Sequence, residues 1–190
     1  MKIKITPTQI EGLFYPSGYR PVDQDANLTY VPGHTEVAQG QVLLISGRIR
    51  TSDGMPLPAA SVEIWQACAS GRYDHPDETN PAPLDTNFRY WARTTTDQHG
   101  IYSFETIKPG VYPAEEGWVR PPHIHFIVLC YGWKPLTTQM YFEGEPLNDT
   151  DQIYQALSPE DRKLVTVKFE KTGEFESGYF DVFLKNGSSH

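Results

Sequence analysis

Short apolar runs alternate with turn residues along most of this chain. The runs are rich in β-branched and aromatic residues, which are enriched in strands. The sequence has 15 glycines and 16 prolines, and these punctuate the runs instead of collecting into one linker. The segments that this pattern predicts as strands are residues 42–50, 61–67, 101–106, 124–130, 138–142, 164–170 and 175–184.

The spacing of the runs predicts an all-β fold. Turn sequences such as Ser52-Asp-Gly-Met-Pro and Asp97-Gln-His-Gly separate neighbouring runs, as is typical of a sandwich or barrel. We predict an antiparallel β-sandwich core with long loops and one or two short helices, with the main helical candidate at residues 149–156 and a second short turn at 158–162. We expect one domain over residues 1–190, in which 1–40 form an arm that lines a pocket or contacts another subunit and 186–190 are unstructured.

Composition argues against two classes of partner. The sequence has 16 lysines and arginines against 24 aspartates and glutamates, a net charge of −8, which argues against binding to nucleic acid or an anionic membrane. No apolar stretch approaches the roughly 20 residues that cross a bilayer, and the first residues do not resemble a signal peptide. With only Cys68 and Cys130 present, we expect no disulfide framework and a cytoplasmic protein.

The strongest candidate for chemistry is the pair His123-Ile-His125 at the head of an apolar run. Residues two apart on a strand share one face, so the two imidazoles would point to the same place and could bind one metal ion. From the spacing alone, a hydrogen-bonded histidine pair is an equally good interpretation. A zinc site would need a third histidine or a carboxylate nearby, and the residues directly after His125 supply no carboxylate.

Tyrosine hydroxyls are the remaining candidate oxygen donors, since the chain has 11 tyrosines. The unperturbed tyrosine pKa is about 10, so only a strongly Lewis-acidic ion such as Fe(III) readily deprotonates the side chain. Tyr112 lies in an irregular segment ahead of the histidine run, and Tyr73 directly follows the predicted strand 61–67. Spacing alone favours a packing role over metal binding for both tyrosines.

Five ordered blocks of the sequence resemble the intradiol ring-cleavage dioxygenases, and among them most closely the iron-binding β subunits of the protocatechuate 3,4-dioxygenases. Together they cover roughly residues 42–147, and they imply a β-sandwich core. The blocks are Val62-Glu-Ile-Trp-Gln-Ala-Cys-Ala-Ser-Gly-Arg-Tyr73, Ala82-Pro-Leu-Asp-Thr-Asn-Phe88, Thr106-Ile-Lys-Pro-Gly-Val-Tyr-Pro113, Arg120-Pro-Pro-His-Ile-His-Phe126 and Thr138-Gln-Met-Tyr-Phe-Glu-Gly144.

The resemblance implies a mononuclear, non-haem Fe(III) centre. It makes Tyr73, Tyr112, His123 and His125 the four protein ligands, with Tyr112 also acting as the base that takes up a substrate proton. The implied reaction uses O2 to cleave a catechol-type ring between its two hydroxylated carbons, giving a cis,cis-muconate. Protocatechuate or a related substituted catechol is the expected substrate.

Further site residues follow from the same resemblance. Arg120 matches a catalytic arginine beside the bound substrate, and Gln139 matches a glutamine that helps to position it. The segment 6–15 resembles the pocket-lining amino-terminal segment of the α subunits as much as that of the β subunits, which makes Phe14 and Tyr15 candidate substrate-binding residues.

This chain departs from the pattern of the two-subunit enzymes in several places. Ile10 stands where the α subunits have a pocket threonine, and the loop ahead of Arg120 is two residues shorter than in the β subunits. These departures affect the expected pocket and not ring cleavage itself. Because one chain combines features of both subunits, we expect a homo-oligomer. Two alternatives remain from the sequence: an iron-free partner subunit, and a non-catalytic β-sandwich binding module.

Overall fold

The computed structural model describes residues 3–16 and 26–187. The chain forms twelve strands in this part, a 3-10 helix at Pro146–Asp149 and two short α-helices, α1 (Gln152–Gln155) and α2 (Pro159–Val165). The strands are β1 (Val42–Thr51), β2 (Ser61–Trp65), β3 (Trp91–Thr95), β4 (Ile101–Ile107), β5 (Tyr112–Glu115), β6 (Trp118–Arg120), β7 (His123–Leu129), β8 (Leu136–Phe142), β9 (Thr166–Val167), β10 (Phe169–Thr172), β11 (Phe175–Tyr179) and β12 (Val182–Leu184).

The first sheet is organised around β1, the longest strand. Its strand order is β10-β11-β1-β12, and β4 also pairs with β1. Along β1 buried positions alternate regularly with half-buried ones, and Leu43, Ile45 and Ile49 are fully buried. This period of two gives the sheet one apolar face.

The second sheet has the order β3-β2-β7-β8-β9, and its inner face packs on the first sheet. Ile64, Phe126 and Met140 belong to the same buried cluster as Leu43 and Ile45 of β1. The outer face of this sheet is also covered, because Trp65, Tyr73 and Trp91 form a second buried cluster against Phe14, Tyr15 and Tyr112. The second sheet is therefore buried on both faces, and the candidate chemistry lies on the outer one.

The structure confirms the predicted all-β sandwich with two short α-helices. The sheets are mixed and not purely antiparallel, since β1 runs parallel to β11 and β12, and β8 runs parallel to β9. The predicted strand 164–170 is divided between the end of α2, β9 and part of β10. Strands β3, β5 and β6 were not predicted, because they are short and lack a continuous apolar run.

The amino-terminal arm connects the two sheets. The Thr6 amide donates to the Phe183 carbonyl in the first sheet (3.0 Å), and the Gln9 amide donates to the Thr137 carbonyl in the second (2.8 Å). Part of the predicted arm, 17–25, lies outside the described residues. At the other terminus the Gly187 amide donates to the Gly132 carbonyl, and residues 188–190 of the predicted tail also lie outside them. Among the helices of the described residues, none is long and apolar enough to span a membrane.

Candidate metal centre

Strand β7 presents both histidines on the outer face of the second sheet. His123 and His125 are 3% and 4% exposed, whereas Ile124 between them points into the core between the sheets. Across the ladder, His125 pairs with Gln139 of β8 and His123 pairs with Tyr141. The spacing of two therefore produces the shared direction that the sequence predicted.

The two tyrosines reach the histidines on neighbouring loops that touch through glycines. The amides of Gly71 and Gly110 both donate to the Cys68 carbonyl, at 2.9 and 3.0 Å. A Cβ at Gly71 would overlap the Val111 carbonyl, and a Cβ at Gly110 would overlap the backbone of the Gly71 loop. Only glycine allows this approach, which fixes the loop leading to Tyr73 against the segment that begins β5 at Tyr112.

The four side chains that the sequence proposed as ligands form one cluster. The Tyr73 hydroxyl lies 3.3 Å from His123 Nε2. The ring centroids of His123 and His125 are 4.9 Å apart, those of Tyr73 and Tyr112 are 5.6 Å apart, and those of Tyr73 and His125 are 6.3 Å apart. The structure thus places Tyr73, Tyr112, His123 and His125 together, although they come from three separate segments of the chain.

The surroundings of His123 direct one ring nitrogen towards the cluster. Its Nδ1 lies 2.7 Å from the Pro121 carbonyl, which can only accept, so we assign the proton to Nδ1 and the lone pair to Nε2. A backbone carbonyl on one nitrogen is the usual way in which proteins orient a metal-binding imidazole. Burial, followed by the positive charge of Arg120, lowers the pKa of His123 to about 3. The ring is therefore neutral at ordinary pH, as metal binding requires.

The His125 ring packs between Trp65 and the arm. It stacks on the Trp65 ring with centroids 4.6 Å apart and an interplanar angle of 12°, and a Cβ at Gly12 would be in van der Waals contact with its Cε1 at 3.4 Å. Burial, with smaller contributions from His123 and Arg120, lowers the pKa of His125 well below its usual value. Its Nδ1 is buried and has no hydrogen-bond partner.

These donors fit a ferric ion. In the described part of the chain no group of three His, Cys, Asp or Glu side chains could hold a metal, so the oxygen donors of this cluster are phenols. Burial raises the pKa of both Tyr73 and Tyr112, and each phenol stays protonated unless a strong Lewis acid binds it. Two imidazoles with two phenolates form a hard donor set of nitrogen and oxygen that suits Fe(III).

Arg120 lies beside the cluster and has partners on three sides. Its NH1 is 3.0 Å from His123 Nε2, and its NH2 donates to Gln139 Oε1 at 2.8 Å and to the Tyr141 hydroxyl at 3.1 Å. Its Nε donates to Asp151 Oδ1 at 3.1 Å. Burial opposes the charge, but the hydrogen bond to Asp151 and the negative charge of its carboxylate outweigh it, so the pKa of Arg120 is raised. The guanidinium is a permanent cation at the site.

Of the two arm residues, Phe14 lies in the cluster and Tyr15 lies beside it. The Phe14 ring stacks on Tyr73 at 4.9 Å and meets Tyr112 edge-on at 5.5 Å. The Tyr15 hydroxyl donates to the buried carboxylate of Glu63 at 2.8 Å, so its polar atom is directed at the sheet. Phe14 and Tyr73 also line a cleft with a volume of about 990 Å³.

Sequence reasoning missed several residues that complete this site. Tyr141 and Gln9 join the network around Gln139, since the Tyr141 hydroxyl lies 3.1 Å from both amide oxygens and shares its one proton between them. Asp151 was included only in a predicted helix. Tyr141 stands two residues after Gln139 on the same strand, so the period of two could have indicated it. No local pattern connects Asp151 with Arg120.

Comparison with known proteins identifies relatives of this chain. A family model described as "Dioxygenase" matches residues 10–186. The chain is 40% identical over 174 residues to the protocatechuate 3,4-dioxygenase beta chain of Burkholderia cepacia, covering 87% of this chain and 72% of that one. It is 34% identical over 154 residues to catechol 1,2-dioxygenase 2 of Acinetobacter lwoffii, covering 74% of this chain and 52% of that one. The chain thus spans about half the length of that second relative.

Solved structures share the fold over nearly the whole chain. The dioxygenase domain of a dioxygenase carbohydrate-binding protein fusion from Streptomyces sp. SirexAA-E superposes with a TM-score of 0.72 at 27% identity, covering 97% of this chain and 100% of that one. The 3-chlorocatechol 1,2-dioxygenase of Rhodococcus opacus 1CP superposes with a TM-score of 0.74 at 23% identity, covering 97% and 74%. The second likeness concerns the fold alone.

Proposed function

The chain belongs to the intradiol ring-cleavage dioxygenase family, and on this premise we propose that it is an Fe(III)-dependent enzyme that opens a catechol-type ring with O2. The observation that carries the proposal is the cluster of Tyr73, Tyr112, His123 and His125 beside the buried cation of Arg120. When bound there, ferric iron would supply the Lewis acidity that ionises phenols and activates an aromatic diol towards O2. The protein supplies orientation, charge and proton transfer.

Arg120 supplies fixed positive charge in this proposal. Its NH1 lies at the edge of the cluster, 3.0 Å from His123 Nε2, and three other partners hold the guanidinium in place. A preorganised cation stabilises the negative charge that develops on a substrate ring, and it needs no rearrangement during the reaction. Gln139 accepts from Arg120 and donates to the Ile10 carbonyl at 3.0 Å, which links the arm to the substrate side of the site.

The two tyrosines are suited to different tasks. Tyr73 is 4% exposed and is packed under Phe14, as expected for a permanent ligand. Tyr112 is half-buried and starts the β5–β6 hairpin, so it is less enclosed than Tyr73. We assign to the Tyr112 oxygen the role of the base that accepts a proton from the diol.

For the substrate we propose protocatechuate or a related substituted catechol, and for the assembly a homo-oligomer. Support for the substrate is the likeness to the protocatechuate 3,4-dioxygenase beta chain. An iron-free partner subunit is a weaker second candidate, because a chain without iron has no use for the His/Tyr cluster.

The test is an activity panel on purified protein with measured iron content. Catechol, protocatechuate, hydroxyquinol and gallate are each supplied under air, and O2 uptake is followed together with the ring-opened product. We expect stoichiometric iron and cleavage of at least one diol between its hydroxylated carbons. Iron-loaded protein that cleaves none of the four compounds would contradict the proposal.

A further inference from the structure

We propose that Asp151 is a positioning residue for ring cleavage, whose carboxylate fixes the Arg120 guanidinium so that NH1 faces the His/Tyr cluster. The kinetic consequence rests on the proposed function, whereas the positioning itself can be tested without activity. Asp151 lies at the start of α1, 31 residues after Arg120 in the chain.

Arg120 and Asp151 form a buried, bidentate salt bridge. Asp151 is fully buried and Arg120 is 5% exposed. Arg120 Nε donates to Oδ1 at 3.1 Å, and NH2 donates to Oδ2 at 3.2 Å. A paired fork of this kind fixes both the position and the rotation of the guanidinium plane. A single contact would leave the plane free to turn.

This bidentate salt bridge determines which nitrogen of the Arg120 guanidinium faces the His/Tyr cluster. Nε is committed to Asp151, and NH2 is shared among Asp151, Gln139 and Tyr141. NH1 is left to point at His123 Nε2. These three nitrogens carry all the donors of the arginine side chain. Because the guanidinium is planar, the position of Nε and NH2 on the Asp151 carboxylate determines where NH1 points.

Burial makes this dependence strong. A buried guanidinium without its carboxylate is an uncompensated charge, and it would turn towards other acceptors or admit water. Gln139 and Tyr141 offer such acceptors within 3.1 Å of NH2, but they are neutral. Without Asp151 we therefore expect Arg120 to remain nearby while NH1 leaves its place at the cluster.

Asp151 also has a structural role, which the test must separate from positioning. One carboxylate oxygen accepts from the Tyr154 amide at 3.0 Å, capping α1, and the other accepts from Trp118 Nε1 at 3.2 Å. Asparagine caps helices as well as aspartate does. Asp151→Asn therefore keeps the size of the side chain and, with Oδ2 at the cap, removes the charge and the Oδ1 acceptor that Arg120 Nε and Trp118 Nε1 share.

The kinetic test compares Asp151→Asn with Trp118→Phe in iron-loaded protein, using whichever diol the wild type cleaves. A misplaced catalytic cation costs on the order of 10²-fold, so we expect Asp151→Asn to lower kcat by about that factor with little change in KM. Iron content and visible absorption should stay at wild-type levels. Trp118→Phe removes the neutral donor to Asp151 but keeps an aromatic ring beside Arg120, whose Cζ lies 5.9 Å from the Trp118 ring, and it should change kcat by less than about threefold. If Asp151→Asn does not fold, Asp151→Glu, which displaces the carboxylate by one methylene, replaces it.

A double-mutant cycle shows whether Asp151 acts through Arg120. Positioning predicts that Asp151→Asn has no further effect on kcat once Arg120→Gln is present, because the group it positions is gone. Equal losses of kcat in both backgrounds would overturn the proposal. Wild-type kcat in Asp151→Asn, loss of its iron, or an equal loss in Trp118→Phe would overturn it as well.

Crystal structures of the wild type and Asp151→Asn separate failure of this inference from failure of the proposed function. We expect the guanidinium in Asp151→Asn to turn, so that NH1 no longer faces His123. An unchanged Arg120 would overturn the inference even in an active enzyme. A wild type that cleaves no diol would refute the proposed function, and the two crystal structures would still decide the positioning.

Discussion

The two faces of the second sheet are formed by alternate residues of the same strands, but one face belongs to the core and the other carries the candidate site. On the inner face, Ile124, Phe126 and Met140 are fully buried against the first sheet. On the outer face, His123 and His125 occupy the intervening positions of β7 and are almost as deeply buried. Burial alone therefore does not distinguish core from site, and polar side chains with directed partners mark the outer face.

The covers of the two faces also differ. The inner face is covered by the first sheet, and the side chains between the two sheets form a mainly apolar cluster. The outer face is covered by the arm, the two tyrosine loops and the β5–β6 hairpin, which bring aromatic rings and backbone carbonyls. The sheet therefore carries the two buried histidines, whereas the cover brings the two tyrosines, of which Tyr112 is only half-buried. Four substitutions test this division, from the largest expected effect to the smallest.

Tyr73→Phe removes the hydroxyl of one proposed iron ligand above the outer face, and it should abolish iron binding while leaving the fold intact. The hydroxyl contacts His123 Nε2, and its loss should change the free energy of unfolding by only about 1 kcal/mol. Iron content and visible absorption are measured beside urea unfolding. A variant with full colour and activity would remove Tyr73 from the ligand set.

Phe126→Ala is the matched change on the inner face, next to His125 on the same strand. Phe126 is fully buried, and emptying its place should cost about 3–5 kcal/mol of unfolding free energy. Urea unfolding gives this value, and iron is measured per folded chain. We expect the iron content per folded chain to stay at the wild-type level. An iron content that falls together with the free energy of unfolding would show that the inner face also determines iron binding.

Gly71→Ala acts on the cover of the outer face. Gly71 has a φ of +82°, which costs an L-residue roughly 1–2 kcal/mol, and the new Cβ would overlap the Val111 carbonyl. We expect the loops of Tyr73 and Tyr112 to separate, with iron affinity falling along with stability. Titration with ferric iron after chelation checks this expectation. The same change at Gly117, whose φ is +78° but whose Cβ would meet nothing within 4 Å, should carry the strain without the loss of iron affinity.

Thr6→Val loosens the arm at its contact with the first sheet. The Thr6 hydroxyl accepts from the Phe183 amide at 3.0 Å, and the valine would leave that amide unpaired at a cost of about 1–2 kcal/mol. Because Gln9 still holds the arm on the second sheet, the ferric absorption should not change. A shifted absorption band would mean that the contact of the arm with the first sheet also affects the geometry of the metal site.

The sequence predicted the histidine strand well, because a period of two needs no tertiary information. It also predicted the sandwich, since β1, β4 and β7 have clear apolar runs. The covered outer face was not predictable from pattern. Glu63 is a buried acid inside β2, and its partners Tyr15 and Trp91 lie 48 and 28 residues away.

For the site, the four proposed ligands could be named from the resemblance but not from spacing. Tyr73 and Tyr112 come together only because Gly71 and Gly110 let two loops touch. The contact of Asp151 with Arg120 could not be predicted for a different reason. At the start of a short helix, an aspartate is most simply explained as a cap. Its second role depends on Arg120, which reaches it only in the folded chain.

We propose that the outer face of the second sheet holds ferric iron through two histidines and two tyrosines. The most direct measurement is the visible spectrum of the iron-loaded wild type, recorded before and after a catechol is added without O2. We predict a tyrosinate-to-iron absorption band that shifts when the diol binds and is absent from Tyr73→Phe. Iron-loaded protein without such a band, or with a band that Tyr73→Phe retains in full, would contradict the account.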